Sequence, residues 1–199
     1  MNLPNKLTVM RICIVPIIVI ISLIPIPGKF LGVSTAYWIM DILFIIASIT
    51  DKLDGELARK NNQVTTFGKF LDPIADKILV ISALIILVGD GRLPSWIPII
   101  VIFREFAVSG YRLIAVQEKG EVIAANKWGK IKTATQMTAI IMAFLDRYPY
   151  GAIFTTQMST FSFIWNLLVT ILMTLSVIAT IFSGWEYLKG GKDLLLKDM

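Results

Sequence analysis

Four aspartates stand in two pairs, Asp51 with Asp54, three residues apart, and Asp72 with Asp76, four apart. At those spacings the members of each pair share one face of a helix. Between the pairs, "NNQVTTFGK" is polar and contains a glycine, which reads as a turn between two antiparallel helices. Each helix then points two carboxylates into one cleft. Carboxylates so crowded resist ionisation until a cation partners them. The chain has no histidine and a single cysteine, Cys13, which excludes histidine acid–base chemistry and paired-thiol metal sites. Oxygen ligands at helical spacing suit Mg2+ or Mn2+, one ion or two, and such ions bind phosphate oxygens. Gly55 and Ala58 lie on nearly the same stripe as the first pair. Small residues there either open a groove for a flat ligand or let a neighbouring helix approach.

The elements that must position these acids are apolar. Of 199 residues, 56% are hydrophobic and 17% charged, with a mean hydropathy of +0.74. Soluble domains average about 45–50% and about 25%, so the composition points to a membrane protein. We read one domain, 1–199, with an all-α, polytopic fold of six transmembrane helices near 9–26, 35–57, 73–89, 94–116, 124–146 and 161–187. A short N-terminal surface segment precedes them. The first span resembles a signal-peptide core, but no small-residue cleavage pattern follows it, so it reads as a retained anchor, with Pro16 kinking it or marking its start. Pro73 suits the first turn of the third span. An even number of spans puts both termini on one side. Of 19 basic residues, the opposite loops hold Lys29, Arg92 and Arg147. The positive-inside rule therefore places both termini and the aspartates at the cytoplasmic face of the membrane. The tail "GWEYLKGGKDLLLKDM" is expected along that surface. The net charge of +5 comes without a basic cluster interleaved with aromatics, which favours anionic lipid or phosphate as partner and not nucleic acid.

The pattern Asp51–x2–Asp54–Gly55–x2–Ala58–Arg59–x8–Gly68–x3–Asp72–x3–Asp76 resembles the signature of the CDP-alcohol phosphotransferases at all eight of its fixed positions. Six spans with the motif between the second and third also match that family. The resemblance implies transfer of a phosphatidyl or similar group from a CDP-linked donor to an alcohol, with CMP released. It makes Asp51, Asp54 and Asp72 metal ligands and Asp76 both a ligand and the general base. Gly55, Ala58, Arg59 and Gly68 would line the cytidine and diphosphate pocket. "NLPNKLTVMRI", with Pro4, Asn5, Thr8 and Arg11, resembles the N-terminal segment of the phosphatidylglycerophosphate synthase branch, where it lies on the membrane surface and touches the CDP-lipid. "FREFAVSGYR" and "WGKIKTATQ", with Lys130, Lys132, Thr133 and Gln136, look like the same branch. Its donor is CDP-diacylglycerol, its acceptor glycerol 3-phosphate, and the resemblance extends to a homodimer formed through the spans.

An anionic acceptor also follows from charge. Arg104 sits well inside the fourth span, where an unsatisfied charge costs at least ~2.5–3.5 kcal/mol. Arg104, Arg112, Lys130 and Lys132 together could collect an acceptor phosphate. Two plainer readings compete. Glu105 could pair structurally with an arginine, Arg112 being seven residues on, and the two lysines could be positive-inside anchors. Siblings using inositol phosphate, serine or phosphatidylglycerol share the signature. A cation transporter would use the aspartates as an ion path, against which all four gather at one end. Asp41, alone in the second span, belongs to no motif.

Overall fold

A computed structural model describes the backbone of residues 3–60, 66–119 and 127–190, and the side chains of residues 6–50, 71–112, 127–187 and 189. Among these residues the protein is all-α. Six helices follow one another: α1 (Leu3–Leu23), α2 (Thr35–Lys60), α3 (Thr66–Gly89), α4 (Trp96–Lys119), α5 (Lys127–Leu145) and α6 (Thr160–Gly190). The six apolar runs each became a helix, and the differences lie at helix starts. α1 begins at Leu3 and runs on through Pro16, so the expected separate surface segment is the first turns of one continuous helix. α3 begins at Thr66, seven residues before the apolar run, which places Pro73 inside the helix instead of in its first turn. Polar residues lengthen a helix without lengthening its apolar stretch. Of the expected turn at 61–69, residues 66–69 are the start of α3, and of the expected surface tail at 184–199, residues 184–190 continue α6; residues 61–65 and 191–199 lie outside the described residues.

Lys6–Leu23 and Thr160–Tyr187 are each long and apolar enough to cross a membrane, and Thr35–Thr50 is a shorter apolar stretch. The core joins Ile14 and Ile18 of α1, Met40 and Phe44 of α2, Leu84 and Leu87 of α3, Ile140 and Phe144 of α5, and Met173 of α6. Phe44 and Phe144 meet edge to face at 6.2 Å between centroids. Outside this core the usual arrangement is inverted. On α6, Phe161, Ile164, Leu168, Ile171, Leu175 and Phe182 are exposed, while Ser162, Asn166, Thr170, Ser176, Thr180 and Ser183 are buried. Two of the hydroxyls bond within the helix, Ser176 Oγ donating to the Met173 carbonyl at 2.8 Å and Thr180 Oγ1 to the Ser176 carbonyl at 2.6 Å. Small polar side chains on the packed face let helices approach closely. α5 packs against α6, α1 against α2 and α3, and α4 mainly against α6.

Three loops meet at the end of the bundle away from the aspartates. A two-strand hairpin, β1 (Lys29–Phe30) and β2 (Val33–Ser34), turns through Leu31 (φ 49°) and Gly32 (φ 74°). Positive φ at both turn residues matches the twist of a two-residue hairpin. Gly32 also makes room: a Cβ there would stand 2.5 Å from the Arg147 guanidinium, which donates to the Leu31 carbonyl. Arg92, in the α3–α4 loop, donates from Nη1 to the carbonyls of Ala143 (3.1 Å), Phe144 (3.0 Å) and Asp146 (2.5 Å). It thereby caps the C-terminus of α5, where carbonyls lack helical partners. Its guanidinium lies 3.6 Å from the Tyr37 ring centre. Asp146 in turn accepts from Asn166 Nδ2 at 2.8 Å. Arg92→Ala should lower unfolding free energy by about 2 kcal/mol, the loss of hydrogen bonds to a charged donor. Thermal unfolding in detergent would measure this, with Arg92→Lys recovering part of the loss.

Candidate active site

The site grows from α3. Asp72 and Asp76 are one turn apart on it, and α1 packs alongside. Thr8 of α1 is buried and donates from Oγ1 to Asp72 Oδ1 at 2.5 Å. Arg11, one turn on, is fully buried at 0% exposure. Thr8 and Arg11 share the inward face of α1 with Val15 and Ile18, at three- and four-residue steps. Both therefore belong to the helix packing, where the resemblance places them at a surface segment. Asn5 lies on the same helix, its side chain outside the described residues. Asp51, Asp54, Gly55, Ala58 and Arg59 fall on α2 and Gly68 on α3, and their side chains too lie outside the described residues.

Beside Asp76 a cavity of about 400 Å³ opens between α3, α4 and α5. Four cationic side chains line it, Lys77, Arg104, Arg112 and Lys132, together with the two acids Asp76 and Glu105. The positive excess makes it a receptor for an anion. Arg104 and Arg112 are two turns apart on α4, so both reach the same cavity. Glu105 organises the cations. Its Oε1 accepts from Arg104 Nη1 at 3.0 Å and from Lys132 Nζ at 2.6 Å, with the side chain 13% exposed. Lys77 donates to Ser109 Oγ, which itself donates to the Glu105 carbonyl at 2.6 Å. On the far side of α4, Arg104 Nη2 donates to Ser183 Oγ and Arg112 Nη2 to Tyr187 Oη, each at 2.6 Å. The Nε atoms of both arginines are buried without a hydrogen-bond partner.

Of the residues expected to hold an acceptor phosphate, the structure brings Arg104, Arg112 and Lys132 together with Asp76. Lys130 is exposed and is not among the lining residues. Two residues along a helix is about 200° of rotation, so Lys130 and Lys132 face opposite ways. Thr133 lines the cavity, and Gln136 is buried one turn beyond Lys132 with Nε2 lacking a partner. Glu105 pairs with Arg104 and Lys132, and Arg112 bonds Tyr187 instead. Sequence reasoning missed Lys77 and Ser109 in the cavity wall. Lys77 follows Asp76 directly in the sequence. Asp41 is buried at 2% exposure with Oδ1 lacking a partner, and it is not among the lining residues.

Comparison with known proteins adds a second line of evidence. Residues 1–182 match the family model described as CDP-alcohol phosphatidyltransferase. The chain is 46% identical over 191 residues to a Bacillus subtilis protein named CDP-diacylglycerol–glycerol-3-phosphate 3-phosphatidyltransferase, covering 94% of this chain and 93% of the relative. Proteins of that name from Haemophilus influenzae and Rickettsia felis are 36% and 34% identical, covering 100% and 96% of this chain and 97% and 96% of theirs.

Removing the shared acceptor at Glu105 leaves two neighbouring cations in a partly buried wall. Glu105→Ala should cost about 3 kcal/mol of stability, the scale for breaking a buried pair from one side. Denaturant unfolding of the purified protein would read this, and Glu105→Gln should cost less because its carbonyl still accepts.

Proposed function

The chain belongs to the CDP-alcohol phosphatidyltransferase family, and from that premise we propose that it transfers the phosphatidyl group of CDP-diacylglycerol to glycerol 3-phosphate, releasing CMP. The observation that carries the acceptor is the cavity, in which Arg104, Arg112, Lys132 and Lys77 surround the approach to Asp76. A phosphate dianion matches that charge excess, whereas an uncharged alcohol would leave it unanswered.

In this reading the cationic wall binds the acceptor phosphate and turns the hydroxyl toward Asp76. The Asp76 carboxylate takes the hydroxyl proton as the oxygen attacks the phosphorus that carries the diacylglyceryl group. The bond from that phosphorus to the CMP oxygen breaks, and CMP leaves. Asp51, Asp54, Asp72 and Asp76 offer oxygen ligands alone, which fits two Mg2+ or Mn2+ ions. The Thr8 hydroxyl on Asp72 Oδ1 supports the fit, since ligating carboxylates are typically held by such outer hydrogen bonds. Bound there, the ions would neutralise the donor diphosphate and the departing CMP. Thr8 and Arg11, with Asn5, Gly55, Ala58, Arg59 and Gly68, remain our assignments for the CDP-lipid.

We also read all six helices as spans of the cytoplasmic membrane, with both termini and the site on the cytoplasmic side and a homodimer formed through the spans. The exposed apolar side chains of α6 and the three loops gathered at the opposite end support this arrangement.

CMP release from CDP-diacylglycerol by purified protein, offered glycerol 3-phosphate, serine, inositol phosphate and phosphatidylglycerol in parallel, tests the acceptor. Turnover is expected with glycerol 3-phosphate, and turnover with another alcohol alone refutes that choice. Asp76→Asn should reduce the rate by about 10²-fold or more, the usual contribution of a general base. Chelation of divalent ions should abolish CMP release and added Mg2+ or Mn2+ restore it; activity that survives exhaustive chelation refutes the metal assignment. Cation flux in proteoliposomes without CMP release would favour a transporter.

A further inference from the structure

The two arginines of the cavity are held from outside it, by a helix none of whose described side chains lines its wall. α4 carries both and packs mainly against α6. On α6, Ser183 and Tyr187 are one turn apart and buried, Tyr187 at 6% exposure. Ser183 Oγ accepts from Arg104 Nη2, and Tyr187 Oη from Arg112 Nη2. The Tyr187 ring lies 5.1 Å from the Arg112 guanidinium carbon and 5.9 Å from that of Arg104. Tyr111 of α4 packs edge to face on the same ring at 6.3 Å. Gly184 completes the arrangement, because a Cβ there would stand 3.3 Å from Arg104 Cγ. The arginine stem thus passes directly over the α6 backbone.

We propose that Ser183 and Tyr187 are positioning residues for the acceptor phosphate, fixing the direction in which Arg104 and Arg112 present their remaining donors to the cavity. This rests on the acceptor reading above. A guanidinium offers donors in a fixed planar fork, so anchoring one nitrogen orients the others. Each anchoring hydroxyl accepts one N–H, and Arg104 gives another from Nη1 to Glu105, so the N–H groups still unused on the terminal nitrogens are the ones offered to an anion. Rotational freedom at either arginine would be lost on binding and would weaken it. Ser183 and Tyr187 do not touch the acceptor in this scheme. Their influence is confined to how well its phosphate is held.

The test is steady-state kinetics of the full-length protein in detergent–lipid micelles, varying glycerol 3-phosphate and CDP-diacylglycerol separately. Tyr187→Phe keeps the ring and its packing while removing the hydroxyl, and Ser183→Ala removes the other acceptor. Each should raise KM for glycerol 3-phosphate about tenfold, the scale of one weakened charge-assisted hydrogen bond. KM for CDP-diacylglycerol and kcat should stay within about twofold, because uniform binding is what is lost. The double variant should exceed either single one. An unchanged KM for glycerol 3-phosphate, or a loss in kcat alone, overturns the proposal, whatever the thermal stability. A wild type that turns over another alcohol but not glycerol 3-phosphate overturns the acceptor reading and this inference with it.

Discussion

The Glu105 carboxylate is the constraint on which the site's architecture depends. Four cations stand around one cavity, and like charges at that density repel unless something among them accepts. Glu105 Oε1 takes a hydrogen bond from α4 and one from α5, so a single oxygen joins two helices. Its backbone carbonyl takes another, from Ser109, which carries the link to Lys77 of α3. Three helices are therefore tied at the height where their charges are most costly. The same network leaves the cavity with surplus positive charge, which is what an anion needs. Stability and recognition here draw on the same few atoms.

The remaining helices solve a different problem. α6 buries hydroxyls and exposes aromatics and branched aliphatics, the reverse of a helix in water. With apolar groups content on the outside, packing between helices must come from close approach and from hydrogen bonds. The buried serines and threonines provide the first by being small. Ser183 provides the second where α6 meets the Arg104 guanidinium.

Much of this was legible in the sequence because two periodicities are strong. Six apolar runs located six helices, and the spacing of Asp72 and Asp76 put them on one face of the third. Helix starts were less legible. Hydropathy marks where a chain is apolar, and α1 and α3 begin with polar turns that remain helical. Lys130 and Lys132 look equivalent in a basic cluster, and only the 100° step per residue separates them. Ser183 and Tyr187 could not be found from local pattern. They lie 79 and 75 residues from the arginines they hold, and nothing near them in sequence marks the pairing.

The loop end of the bundle bears on distances far from it. Arg92 fastens the α3–α4 loop to the tip of α5, and Arg147 fastens the next loop to the hairpin. These bonds fix an angle between helices at one end of a rigid rod. Lys132 stands thirteen residues before Leu145, about 20 Å along the rod at 1.5 Å per residue. A tilt of about 2° at the fastened end therefore displaces Lys132 by about 0.7 Å at that length. Displacements of that size matter to reacting groups, where about 1 Å can cost about 10²-fold in rate. Residues with no chemistry of their own thus act as the alignment screws of a cavity at the opposite end of the molecule.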